Sequence, residues 1–144
     1  MHICTCARKA IAYIKGGEVI GKIEFYQKHE GVLIIARVYG LPDNDSDFFA
    51  FHIHEGDSCK GEGFSKTGGH YNPQGKLHPN HAGDLPPLLS CNGKAYLAVM
   101  TNRFSLQEVI GRTAVIHGGV DDFSTQPAGN AGEKIACGVI SLCK

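Results

Sequence analysis

The chain has no net charge, no long apolar run, no internal repeat and no tryptophan. Lysine and arginine number 14 and are matched by 14 aspartates and glutamates. That balance argues against a basic nucleic-acid surface or a polybasic membrane patch as the main business of the molecule. No apolar stretch approaches the roughly 20 residues that a spanning helix needs, so no membrane partner is expected. The opening segment, Met1-His2-Ile3-Cys4-Thr5-Cys6-Ala7-Arg8-Lys9, lacks the apolar core and small-residue cleavage site of a secretory leader. A cytoplasmic location is expected, or a periplasmic or secreted one if a leader has been removed. Helical periodicity is also missing, so nothing beyond a single helical turn is expected. No linker divides the 144 residues, and that length suits one ordinary domain with its own core.

What is present reads as all-β. Glycine reaches 19, which suits many short strands joined by tight turns. Lys9 to Lys15 alternates weakly around Ile11 and Tyr13 before Gly16-Gly17. Val19 to Tyr26 carries Ile23 and Phe25 at period two, and Val32 to Tyr39 is rich in β-branched residues. Phe48 to His54 alternates well, with Phe49, Phe51 and Ile53 on one face and His52 and His54 on the other. Lys94 to Asn102, Arg112 to His117 and Cys137 to Leu142 are further strand candidates. Short strands with regular turn signals imply a sandwich or barrel. Glu55 to Ser90 and Gly118 to Glu133 have no periodicity, and a long irregular segment in a compact domain is usually functional.

Six of the eight histidines fall in four clusters, and only His2 and His29 lie outside them. Neutral imidazole is the commonest protein metal ligand, so the clustering points to a two-metal site. The strand period puts His52 and His54 side by side on one face. His78, His81 and Asp84 lie within seven residues and can wrap one cation. Three nitrogens and a carboxylate oxygen suit tetrahedral zinc. A solvated loop is the plainer reading of His78 and His81, and the other clusters outweigh it. The cysteines, Cys4, Cys6, Cys59, Cys91, Cys137 and Cys143, are even in number, as in a secreted disulfide protein. Their spacing is not repetitive and the chain does not need a disulfide scaffold, so this count does not settle the compartment.

Several of these segments carry a resemblance. Phe51-His52-Ile53-His54-Glu55, Gly69-His70-Tyr71-Asn72-Pro73, His81-Ala82-Gly83-Asp84-Leu85, Gly111 to His117 and Gly129 to Ile140 together resemble the copper,zinc superoxide dismutase family. The likeness runs from Lys9 to Leu142, leaving residues 1–8 as an N-terminal extension of a single domain spanning 1–144. It implies an eight-stranded Greek-key β-barrel, an immunoglobulin-like sandwich with two long functional loops. It implies copper on His52, His54, His70 and His117, and zinc on His70, His78, His81 and Asp84, with His70 shared. Asp121 corresponds to a family carboxylate that links ligands of the two metals, with Asp122 the near alternative. Arg112 corresponds to an arginine that braces the first long loop; an ordinary strand-end cation is the equal alternative. Cys59 and Cys137 correspond to a family disulfide, whose constraint on the unfolded chain is worth roughly 2–4 kcal/mol. Cys91 is left as a free thiol. In the implied barrel the first and last strands are neighbours. Cys143 then approaches Cys4 or Cys6, as a disulfide or a soft-metal site, against the plainer reading of a frayed end with reduced thiols.

The implied reaction converts superoxide to dioxygen and hydrogen peroxide by alternate reduction and oxidation of copper, with His70 carrying a proton. This chain departs from the family pattern in three places. Lys134 stands where an arginine is usual; it keeps the charge but loses the planar fork, so reduced activity is expected. Gln126-Pro127-Ala128 replaces a more charged stretch in a short second loop, and only Pro79 and Asn80 separate His78 from His81. The alternative functions are a copper-binding or copper-delivery protein on the same barrel and a zinc-only interaction domain. The retention of every copper-site histidine weighs against both. Superoxide is the implied substrate. A homodimer and a copper donor are the implied protein partners, and no surface patch in the sequence selects an oligomeric state.

Overall fold

Alternating apolar and polar residues build a curled antiparallel sheet, seen in a computed structural model that describes residues 8–143. Its strands are β1 (Lys9–Gly16), β2 (Val19–Gln27), β3 (Val32–Tyr39), β4 (Phe48–Phe49), β5 (Phe51–His54), β6 (Leu88–Leu89), β7 (Ala95–Thr101), β8 (Thr113–His117) and β9 (Lys134–Leu142). Seven of them form one sheet in the order β5-β8-β9-β1-β2-β3-β7, and β4 pairs with β6. Only Ala50 separates β4 from β5, and β6 lies beside β7, so the β4–β6 pair joins the two edges of the larger sheet. With β4 and β5 counted as one interrupted strand, this is an eight-stranded barrel. The chain crosses over from β3 to β4 and from β7 to β8, which makes the topology a Greek key rather than a meander.

The core is drawn from one face of each strand. Ile23, Phe25, Val32, Ile34, Ala36, Phe51, Ile53, Ala114, Ile116, Ala136 and Ile140 are fully buried. In β1 the inward residues are Ala10, Ala12 and Ile14, while Tyr13 is exposed. The expected period therefore holds, but on the opposite face from the one that Ile11 and Tyr13 suggest. Period two identifies the residues that share a face, and two alanines are a weak sign of which face is inside.

The strand expected over Phe48–His54 breaks at Ala50. Its N–H donates to the Gly119 carbonyl at 2.9 Å and its carbonyl accepts from His117 N–H at 2.9 Å. β6 lies inside the stretch that sequence periodicity assigns no strand. The one helical turn of the α type among the described residues, α1 (Leu106–Val109), begins where Glu108 accepts from Ser105 N–H at 2.7 Å, half of a capping box. Glu108 also accepts from the Tyr71 hydroxyl at 2.9 Å, which ties the segment after His70 to the barrel.

Candidate metal centre

The site forms where the first long loop docks on β5. β5 pairs with β8 in a register that sets His52 opposite Val115 and His54 opposite Thr113. Ile53 N–H donates to Gly83 O, and the Ile53 carbonyl accepts from Tyr71 N–H, both at 2.8 Å. Isolated bridges set Asp84 against His52 and His70 against His54. The loop therefore covers the histidine face of β5, and all four residues of that strand are buried. A strand that reads as half apolar and half polar has both faces inside.

His52, His54, His70 and His117 form one buried group whose ligand atoms lie within 4.8 Å of one another. Hydrogen bonds fix three of the tautomers. His52 Nε2–H donates to Asp121 Oδ2 at 2.8 Å, which leaves Nδ1 bare. His54 Nδ1–H donates to the Gly68 carbonyl at 2.9 Å, and His117 Nδ1–H donates to the Gly132 carbonyl at 3.2 Å. The two bare Nε2 atoms then face each other at 3.2 Å. Two lone pairs in that arrangement repel unless a cation sits between them.

His70, His78, His81 and Asp84 come together beside this group. His70 Nδ1 lies 3.1 Å from His81 Nδ1 and 2.8 Å from Asp84 Oδ1. Asp84 Oδ2 lies 3.1 Å from His78 Nδ1 and 3.3 Å from His81 Nδ1. A tetrahedral zinc with bonds near 2.0–2.1 Å has ligand–ligand edges of about 3.3 Å, so these spacings fit a bound zinc. His52 also falls within 4.8 Å of His70, His78 and Asp84. Its Nε2 proton is already given to Asp121, so only Nδ1 is free to serve a metal. His52 Nδ1, His70 Nε2 and His78 Nδ1 are buried with no hydrogen-bond partner. Each orphaned nitrogen costs about 1–3 kcal/mol unless something binds it. The donor set, its spacing and its orphans fit two adjacent cations that share His70.

Electrostatics favours the metal-ready protonation states. Burial lowers the pKa of His52, pushes His54 down to about 2 and pushes His117 down to about 4. All three are neutral at ordinary pH and offer a lone pair. Burial alone raises the Asp121 carboxyl, but hydrogen bonds from His52, His78 and the Phe123 amide hold it far below the usual carboxylate range. Asp84 is likewise lowered against its burial, by the His70 hydrogen bond and the neighbouring imidazoles.

Asp121 bridges the two groups. Its Oδ2 accepts from His52 and its Oδ1 accepts from His78 Nε2 at 2.7 Å. Asp122 turns away and caps the backbone of Ser124 and Thr125 at 2.9 and 2.8 Å. Gly129 packs on the bridge: an added Cβ would lie 2.0 Å from Asp121 Oδ1, and φ there is +72°. Lys134 sits opposite His117 at a β8–β9 register shift, and its ammonium donates to Thr67 Oγ1 at 2.7 Å and Gly68 O at 3.0 Å. Gly68 O is the carbonyl that also receives His54, so Lys134 is one carbonyl away from the first group. Burial lowers its pKa. Arg112 donates to the Glu55 and Glu108 carbonyls, both at 2.9 Å, and stacks 4.3 Å over the Tyr71 ring. Cys59 and Cys137 are joined by a disulfide across a separation of 78 residues. Cys91 and Cys143 make no disulfide among the described residues. Cys4 and Cys6, and with them the expected contact to Cys143, lie outside the described residues.

Sequence reasoning missed the carbonyls of Gly68 and Gly132, which no side-chain signal announces. It also missed Gln126, which meets the backbone of His78, and Arg103, which meets the carbonyls of Pro79 and His81.

Fold and site define a β-barrel metalloprotein with two adjacent groups of buried metal-ligand side chains. Comparisons with known proteins agree. The model of the copper/zinc superoxide dismutase (SODC) family matches residues 19–140. Superoxide dismutase [Cu-Zn] 2 of Aquifex aeolicus is 43% identical over 139 residues, covering 86% of this chain and 80% of its own. Superoxide dismutase [Cu-Zn] A of Xenopus laevis is 35% identical over 153 residues, covering 94% and 98%. The crystal structure of the clock protein EA4 superposes with a TM-score of 0.84 at 33% identity and covers 99% of both chains. The chain belongs to the copper/zinc superoxide dismutase family. It is an enzyme that converts superoxide to dioxygen and hydrogen peroxide, with copper and zinc as its cofactors.

Proposed function

We propose that His52 Nδ1, His54 Nε2, His70 Nε2 and His117 Nε2 hold copper, and that His70 Nδ1, His78 Nδ1, His81 Nδ1 and an Asp84 oxygen hold zinc. The observation that carries this reading is the set of bare nitrogens. His54 and His117 face each other at 3.2 Å with their protons committed elsewhere, and His70 Nε2 is buried without a partner. Copper, when bound, supplies a one-electron couple, while zinc, being d¹⁰, supplies charge and geometry only. Two superoxide anions and two protons become one dioxygen and one hydrogen peroxide. His70 Nε2 is suited to take up one of those protons and deliver it to the peroxide. Asp121 holds His52 and His78 in one orientation, a support that raises ligand basicity. Lys134 attracts and orients the anion, with a compact charge in place of a planar fork, which lowers the rate relative to an arginine. Arg112 braces the start of the first loop through the Glu55 carbonyl.

The decay of a superoxide pulse tests this reading. Protein loaded with one copper and one zinc gives catalytic decay, and the zinc-only form gives none. Stoichiometric decay with copper still bound would instead favour a copper-holding or copper-delivering protein.

The same reading takes residues 1–144 as one domain with 1–8 as an extension, pairs two copies in a homodimer and receives copper from a donor protein. Light scattering and a copper-transfer assay test the last two. No helix among the described residues is long and apolar enough to cross a membrane. The expected compartment is the cytoplasm, and the Cys59–Cys137 bond favours an oxidising one instead. Fractionation with thiol alkylation distinguishes them.

A further inference from the structure

His78 is gripped more fully than any side-chain role in zinc binding requires. Its Nε2 donates to Asp121 Oδ1 at 2.7 Å. Its backbone is held separately by Gln126, five residues further along the same loop as Asp121. His78 N–H donates to Gln126 Oε1 at 2.9 Å, and Gln126 Nε2 donates to the His78 carbonyl at 2.8 Å. The two bonds fix the amide orientation, because an N–H needs the oxygen and a carbonyl needs the nitrogen. Gln126 Nε2 also donates to Ser124 O at 3.0 Å, which anchors the clamp to its own loop. The other end of the short ligand loop is held by a second side chain. Arg103 Nη1 donates to the Pro79 carbonyl at 2.7 Å and the His81 carbonyl at 3.2 Å.

We propose that Gln126 is a positioning residue for zinc, with Arg103 completing the grip on His78-Pro79-Asn80-His81. The physical reason is local. Only two residues separate these ligands, so the segment has little backbone of its own to hydrogen-bond. Its local bonds run to flanking residues: Asn80 N–H donates to Leu77 O at 2.7 Å, His81 N–H donates to Asp84 Oδ2 at 2.9 Å, and the His81 carbonyl accepts from Asp84 N–H at 3.1 Å. A loop so short keeps two imidazoles aimed at one cation only when its carbonyls and N–H groups are satisfied from outside. Gln126 replaces what a longer loop would do for itself. The uncharged Gln126-Pro127-Ala128 stretch thereby gains a role other than steering the anion. The inference rests on the zinc set proposed above.

The test measures metal affinity rather than turnover. Zinc affinity of the copper-free protein is measured by chelator competition for wild type, Gln126→Ala, Gln126→Glu and the reference variant His81→Ala. Copper affinity and the cobalt absorption spectrum at the zinc site are recorded alongside. Gln126→Ala is expected to weaken zinc about tenfold, the lower end for support residues, to broaden the cobalt spectrum and to leave copper affinity within about twofold. Gln126→Glu keeps the acceptor for His78 N–H but turns a second oxygen toward the His78 carbonyl, so it should weaken zinc at least as much. Unchanged zinc affinity in both variants, with His81→Ala abolishing tight binding, overturns the clamp and leaves the ligand set standing. Equal loss of both metals together with a lower melting temperature of the metal-free protein also overturns it, because Gln126 would then be a general stability residue. Tight zinc binding by His81→Ala overturns the ligand set itself, and with it the clamp.

Discussion

The two halves of the metal centre are built by different means. On the side proposed for copper, His52 and His54 lie on β5 and His117 ends β8, so two paired strands place three of the four imidazoles. On the side proposed for zinc, His70, His78, His81 and Asp84 all lie in the stretch between β5 and β6. Their positions depend on contacts brought from elsewhere: Asp121 and Gln126 from the second loop, and Arg103 from the segment after β7. A strand supplies ligand geometry through its period, whereas a loop must be pinned. The pins fall in two places, at the disulfide behind the loop and at the polar clamps around it.

The largest expected effect comes from the pin behind the loop. Replacing Cys59 and Cys137 by serine should lower stability by roughly 2–4 kcal/mol, read as the shift in urea midpoint. Zinc affinity is expected to fall further than copper affinity, because the bond ties Cys59, on the loop that carries the proposed zinc set, to Cys137 on β9. Asp121→Asn is expected to have the next largest effect. The amide puts an NH2 donor where one of the two carboxylate oxygens accepts, so His52 and His78 cannot both keep their present bonds. A loss of about 10–100-fold in metal affinity is expected, larger for zinc, since His52 keeps its place on β5. Equal losses measured by competition titration would show that β5 does not preorganise His52.

Acid probes the copper half. His54 and His117 have folded-state pKa values pushed down by burial to about 2 and about 4, against 6.5 in the unfolded chain. Between about pH 6.5 and pH 4 the unfolded state therefore binds more protons, and stability falls as pH falls. Urea midpoints of the metal-free protein should decline through that window, and His117→Asn should flatten the decline. A midpoint independent of pH would mean that these imidazoles are not buried neutral. The smallest effect is expected from Lys134→Arg. It should raise the superoxide rate a few-fold at low ionic strength, because the planar fork can hold the anion through two N–H groups where the ammonium offers a point charge. An unchanged rate in stopped-flow decay would remove Lys134 from the substrate path.

The copper half was largely legible in the sequence and the zinc half only in part, for the same physical reason. His52 and His54 announce a shared face through period two, and Phe51 and Ile53 announce the opposite one. His78, His81 and Asp84 announce a cation by density alone, and nothing in their spacing says what holds them. Asp121 and Asp122 are adjacent and alike in sequence; only the turn at Phe123 sends one into the site and the other to cap the loop. The carbonyls of Gly68 and Gly132 orient two ligands yet belong to residues without side chains. Gln126 reads as an ordinary polar loop residue. In the barrel, β2 and β3 were plain from Ile23, Phe25 and the β-branched run. β1 hid its inward face behind two alanines, and β6 is too short to show a period.

Amide hydrogen exchange with and without zinc, on protein that keeps its disulfide, tests the contrast most directly. Residues 72–86 and 118–132 should exchange faster when zinc is removed, while the β5 and β8 amides keep their protection. Loss of protection in β5 and β8 to the same degree would contradict it, and would mean that the copper ligands depend on zinc as much as the loop does.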